Sequence, residues 1–155
     1  MSRILLSLDI SAASTGYAVK FQNKLEFGLI KTTNKSTEGE RLVLFRNELI
    51  NILSKYRPTH IVMEDIFGGR NMKTLKLLAK FSGVAQECNK AFTGIDTEIM
   101  HTSTVRAYFK VKTKREIFDE VISLLGWEDK EWSFNKYNDI TDAISQLICY
   151  ENRLN

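Results

Sequence analysis

The chain has 155 residues, 43% of them hydrophobic and 26% charged, which is the size and balance of one globular domain with a real core and too little for two. No apolar run approaches the ~18 residues of a membrane span, and Ile4-Leu5-Leu6 is too short for a signal peptide, so a cytoplasmic protein without a membrane segment is expected. The formal net charge of +3 is mild and by itself points to no partner, and Cys88 and Cys149, each in an apolar helical pattern, read as buried reduced thiols.

Ile4 to Ile10 is an apolar run broken by Ser7 and Asp9 and reads as a buried central strand. Thr15 to Phe21 and Leu25 to Lys31, joined by the polar turn Gln22-Asn23-Lys24, read as a hairpin. Thr37-x-x-Glu40 is a capping box, and Leu42, Phe45, Leu49 and Leu53 follow at helical spacing as far as Tyr56, before Arg57-Pro58. His60 to Glu64 is another short buried strand, and Gly68-Gly69 marks a loop. A long helix is predicted from Met72 to Phe92, a fifth strand from Thr97 to His101, and helices over Thr102–Phe109, Lys114–Leu125 and Asn138–Asn152. No repeat or linker interrupts the series, so residues 1–155 read as a single domain. A hairpin followed by alternation predicts an α/β fold: a mixed five-stranded sheet flanked by helices.

Four carboxylates stand out by position. Asp9 lies in the first strand, Glu64 ends the fourth, and Asp139 and Asp142 are spaced i, i+3 near the predicted start of the last helix. Beside them Ile140, Ala143, Ile144, Leu147 and Ile148 form that helix's core-facing stripe. Each acid alone has a plainer reading: a turn or cap residue for Asp9, a solvated rim for Glu64, complements to the helix dipole for the pair. The set is different, because ionised carboxylates near a core are costly unless compensated, and a divalent cation compensates them directly. With only His60 and His101 no zinc spacing exists, so oxygen ligands and a hard cation, magnesium or manganese, are implied. Converging carboxylates suit two such ions, able to activate a water on one side of a phosphodiester and stabilise the leaving 3′-oxygen on the other.

Basic residues fall in two groups. Lys73, Lys76 and Lys80 recur at helical spacing beside the apolar Leu77, Leu78, Phe81 and Val84. Arg106, Lys110, Lys112, Lys114 and Arg115 form a second run interleaved with Tyr108 and Phe109. Both are candidate DNA-phosphate contacts, and both are also compatible with solvated helix faces. Lys112 or Lys114, ahead of a helix N-terminus, could stabilise charge at a reacting phosphate. His101 reads as a cap or loop residue.

At this point the sequence resembles a family. Leu6-Ser-Leu-Asp9-Ile-Ser-x-x-Ser-Thr-Gly16-Tyr-Ala18, Ile61-Val-Met-Glu64-Asp-Ile-Phe67, the helix from Asn71 to Ala85 and Asp139-Ile-Thr-Asp142-Ala143 look, in order and spacing, like the motifs of RuvC-type Holliday junction resolvases, within the ribonuclease H-like superfamily. The resemblance implies a ribonuclease H-like fold and a homodimer built largely through the helix after Phe67. It implies two active sites that nick opposed strands of four-way DNA junctions and leave a 5′-phosphate. Asp9, Glu64, Asp139 and Asp142 would bind two Mg2+ ions, with Mn2+ able to substitute. Phe67 would stack at the junction centre, or else be a core aromatic, and Arg70 would contact DNA. Gly68-Gly69 departs from the family's pattern, which makes the loop Phe67 to Asn71 the feature separating a strict resolvase from a relaxed nuclease debranching flaps and forks. The short chain and that loop lean towards a bacteriophage enzyme. An inert DNA-binding domain of the same fold and a ribonuclease cutting RNA–DNA hybrids are the remaining alternatives.

Overall fold

The computed structural model describes residues 2–66, 71–128 and 130–155. The strands are β1 (Leu5–Asp9), β2 (Ser14–Phe21), β3 (Lys24–Lys31), β4 (His60–Glu64) and β5 (Glu98–Met100). The helices are α1 (Glu38–Tyr56), α2 (Met72–Thr93), α3 (Thr102–Phe109), α4 (Lys114–Leu124) and α5 (Phe134–Leu154). The strands form one mixed sheet in the order β3-β2-β1-β4-β5. β1–β2 and β2–β3 pair antiparallel, β1–β4 and β4–β5 parallel. The expected five-stranded mixed sheet is the one found. No helix among the described residues is long and apolar enough to cross a membrane.

Local chemistry sets the boundaries. Gln22 and Asn23 turn β2 into β3 with both φ positive, the two-residue turn that suits the twist of a hairpin. The Thr37–Glu40 capping box is formed in both directions. Arg57 ends α1 in the left-handed conformation just ahead of Pro58.

α5 begins at Phe134, a full turn before the predicted Asn138. The extra turn is held by packing: the Phe134 ring meets Phe118 edge-on at 5.5 Å, Arg115 lies over it at 5.2 Å, and Tyr137 packs on Trp132. Asp139 and Asp142 are therefore in the second and third turns, where the dipole of the helix end explains little.

Alternation along the central strands assigns each side chain to a layer. In β1, Leu6 and Leu8 join the core shared with α1 and α2 through Phe45, Leu49 and Phe81. Leu5 faces the other way, into the core of α5 with Ala143, Ile144 and Leu147. Ser7 and Asp9 share Leu5's face, so both polar breaks in the strand point at α5. In β4, Val62 lies on the α5 side, and Glu64, two residues on, follows it. The parallel register sets Ser7 beside Val62, which brings Asp9 and Glu64 together at the C-terminal ends of adjacent strands.

Candidate active site

Asp9, only 6% exposed, forms the floor of a cavity of about 170 Å³ between those strand ends and α5. Glu64, Thr102, Arg106, Lys114, Asp139 and Asp142 also line it. One carboxylate oxygen each from Asp9, Asp139 and Asp142 lies within 4.8 Å of the other two. Glu64 borders the same cavity, but its Oε1 accepts a hydrogen bond from the Thr102 hydroxyl. Three of the four predicted acids thus form a tight group, with the fourth on its rim and oriented by Thr102.

The turn after Asp9 is closed by Thr15, whose hydroxyl donates to the Ser11 carbonyl at 2.9 Å and accepts from the Ser11 N–H at 3.2 Å. Gly16 pairs with Asp9 across β1–β2. A Cβ at Gly16 would overlap the Asp139 carbonyl and stand 3.1 Å from the Ile140 nitrogen. Only a residue without a side chain lets α5 come this close, and that approach carries Asp139 and Asp142 to Asp9. One turn further on, buried Gln146 donates to Ser7 Oγ at 2.9 Å and to the Leu8 carbonyl at 3.0 Å, pinning α5 to β1.

Packing the acids together changes the titration of Asp9 and Asp142. Burial lifts Asp9 well above the ordinary carboxylate range; the Asp142 and Glu64 charges and a hydrogen bond with Glu64 add to it, and Lys114 opposes them. Burial raises Asp142 to about 6 against the pull of Lys114, with Glu64 and Asp139 adding to the rise. Lys114 Nζ stands 2.8 Å from Asp142 Oδ2 and 3.8 Å from Asp139 Oδ1. Burial alone would depress its ammonium, but Asp142, Asp9 and Asp139 together hold it above the usual lysine value. Hence the site lacks positive charge even with Lys114 present, and the acids fit an oxygen-binding divalent cation. No histidine or cysteine lines this cavity among the described residues, which matches a hard ion rather than zinc.

The two lysines are placed differently: Lys114, itself partly exposed, reaches the acidic group, while Lys112 contributes its backbone N–H to Glu116 at 3.4 Å. Arg106 lines the cavity, and its buried Nε has no partner among the described residues. Lys110 is exposed at the left-handed end of α3. Arg115 pairs with Asp119 at 3.5 Å and covers Phe118 and Phe134, so it fastens α4 to α5 away from the acids. Lys73, Lys76 and Lys80 are exposed on α2, where Lys80 is paired with Glu38. His101 precedes α3 without a side-chain cap bond, its Nδ1 3.5 Å from Asp65. Phe67 and Arg70, with Gly68-Gly69, lie outside the described residues. Thr102 and Gln146 were not singled out by sequence, although Gln146 follows Asp142 by one turn as a polar break in an apolar stripe.

Comparison with known proteins agrees across nearly the whole chain. The family model described as crossover junction endodeoxyribonuclease RuvC matches residues 5–150. The crossover junction endodeoxyribonuclease RuvC of Ruminiclostridium cellulolyticum is 30% identical, over 96% of this chain and 92% of its own. That of Halothermothrix orenii is 28% identical over 98% and 95%. Among solved structures, T. thermophilus RuvC in complex with Holliday junction substrate matches with a TM-score of 0.80 at 15% identity, covering 98% of this chain and 96% of that one. The yeast mitochondrial Holliday junction resolvase matches at 0.62 and 15%, over 94% and 76%. At those identities the structures show the fold, and it is the one that the resemblance to RuvC-type resolvases implies.

Proposed function

The chain belongs to the RuvC family of crossover junction endodeoxyribonucleases, and from that premise we propose that it resolves four-way DNA junctions by hydrolysing a phosphodiester in each of two opposed strands. The observation that carries the reading is the convergence of Asp9, Asp139 and Asp142 within 4.8 Å, on one face of the sheet and opposite Lys114.

Asp9, Glu64, Asp139 and Asp142 are the groups that would hold two Mg2+ ions, with Mn2+ substituting and Asp9 the deepest of the four. When bound, the cations supply the charge that activates water and stabilises the leaving 3′-oxygen, so that the 5′-phosphate stays on the other fragment. The protein's own groups do the rest. Gly16 and Gln146 fix the spacing between α5 and β1. Thr102 holds Glu64 in one orientation. Lys114 offsets part of the carboxylate charge and offers an ammonium to the phosphate oxygens as negative charge builds on them. Arg106 brings a donor to the same cavity, and Lys73, Lys76, Lys110 and Lys112 are exposed cations for the backbone.

Paired nicks in two opposed strands call for two sites related by a two-fold axis, which a homodimer supplies. The test is cleavage of a synthetic four-way junction with Mg2+, beside a flap, a Y-fork, linear duplex and an RNA–DNA hybrid. Paired symmetric nicks confined to the junction support the proposal. Comparable cutting of flap and fork would replace it with a general debranching nuclease, and cutting of the hybrid alone with a ribonuclease.

A further inference from the structure

A second concavity lies beside the first, with Leu77 and Leu78 on one side and polar groups on the others. It is a groove of about 650 Å³ between the β1–β2 turn, the segment after β3 and the first turn of α2, with Ser11, Thr33, Asn34, Arg41, Lys73 and Thr74 among its walls. Ser11 borders both concavities, so the groove leads away from the catalytic acids.

Its unusual member is Arg41, which is only 9% exposed. Nε donates to Thr32 Oγ1 and Nη2 to the Ala12 carbonyl, both at 3.0 Å. The Phe81 ring centroid is 6.0 Å from the guanidinium carbon, at the outer reach of a cation–π contact. Every one of these partners is neutral, and among the described residues no carboxylate pairs with Arg41. The acids beginning the same helix are engaged elsewhere, Glu38 with Lys80 and Glu40 in the capping box. A buried guanidinium is normally paired with an anion, and here its donor fork is only partly used. Lys73 adds an exposed cation across the groove, and the hydroxyls of Ser11, Thr33 and Thr74 add neutral donors.

We infer that this groove seats a backbone phosphate of the DNA strand leaving the catalytic carboxylates, with Arg41 as its buried counter-charge and Lys73 as its exposed one. The inference rests on the proposed function, which brings a phosphodiester strand to Ser11. Arginine suits the role because its fork can hold a phosphate oxygen while still bonding Ala12 and Thr32.

Arg41 cannot be the test residue, because its bonds to Ala12 and Thr32 also brace the turn after Asp9. Thr33→Asp instead places a carboxylate in the groove and leaves those bonds intact. An aspartate there can still accept from the Lys35 N–H, as Thr33 Oγ1 does. Lys73→Glu alters the opposite wall. Binding of each variant to a fluorescent four-way junction is measured with Ca2+ replacing Mg2+, alongside thermal unfolding. Each variant should bind about five- to tenfold more weakly, and Thr33→Asp should melt no lower than wild type because Arg41 gains a partner. Methylphosphonate replacement, one position at a time along the cleaved strand, should find one phosphate near the scissile bond whose neutralisation weakens wild type but not Thr33→Asp. Wild-type affinity in both variants, or the same methylphosphonate penalty in Thr33→Asp, overturns the inference. A lowered melting point in Thr33→Asp contradicts the missing counter-charge, and Lys73→Glu then carries the binding test. Failure of the wild-type protein to bind any four-way junction is a separate result: it removes the proposed function, and the groove's role with it.

Discussion

Gly16→Ala tests how the site is assembled. Ordinary Cβ contacts fall at 3.4–4 Å, whereas a Cβ at this position would lie 2.5 Å from the Asp139 carbonyl carbon, a shortfall of about 0.9 Å. α5 can move aside only at a cost, since Gln146 ties it to β1 and Ile140, Ala143, Ile144 and Leu147 anchor it in the core. Overpacking of this kind costs roughly 1–3 kcal/mol. In a chain of this length that lowers the unfolding midpoint by roughly 2–12 °C. The larger effect is on chemistry, because moving Asp139 and Asp142 away from Asp9 by nearly that distance should slow single-turnover junction cleavage about 100-fold. Raising the Mg2+ concentration should recover part of the loss. Gly39→Ala is the control, as nothing lies within 4 Å of a Cβ there. If Gly16→Ala cleaved at the wild-type rate with an unchanged midpoint, the close approach of α5 would have no part in building the site.

Other outcomes follow from the same geometry. Lys114→Ala should reduce cleavage about 100-fold in single turnover, whereas Lys112→Ala should stay within about threefold of wild type; the reverse order would move the catalytic role to Lys112. Thr102→Val frees Glu64 and should weaken cleavage or apparent Mg2+ affinity about tenfold, and an unchanged metal titration would contradict its role. In the metal-free protein Asp142 titrates at about 6 against 3.8 for an ordinary aspartate. Between those values the folded chain keeps a proton that the unfolded chain has released, so stability falls as pH rises through the window, by roughly 3 kcal/mol for this group. Asp9 is shifted the same way. Metal-free protein should therefore melt higher at about pH 5 than at about pH 7.5, and Mg2+ should restore more at the higher pH, where fewer protons compete for the carboxylates. Equal midpoints at the two pH values, read by scanning calorimetry, would contradict the crowding of these acids.

Much of the arrangement was legible in the sequence because it follows from periodicity. Alternation along Ile4–Ile10 marked Ser7 and Asp9 as breaks on one face, and the i, i+3 spacing of Asp139 and Asp142 put both on one side of a helix. The start of α5 was not legible, because Phe134 owes its place to Phe118 and Arg115 in another part of the chain. Nor could pattern separate Lys112 from Lys114: the start of α4 at Lys114 was readable, but which lysine meets the acids depends on how α4 packs against α5. Thr102 gains its role from the crossing of β4 and α3, and Gly16 from the approach of a helix to a sheet; neither leaves a period to read. Arg41 carries no signal in the sequence, and only the tertiary structure shows it buried with no carboxylate partner among the described residues.

The central claim is that these carboxylates cut DNA at four-way junctions, and Asp9→Asn tests it most directly. Binding and single-turnover cleavage of a synthetic junction are measured side by side for this variant and the wild type, in Mg2+ and again in Mn2+. The account predicts that Asp9→Asn binds the junction at least as tightly as wild type, because a negative charge has left the site, and yields no detectable nicks. Full cleavage by Asp9→Asn would remove Asp9 from the reaction, and no cleavage by the wild type in either metal would leave the fold standing and overturn the enzyme.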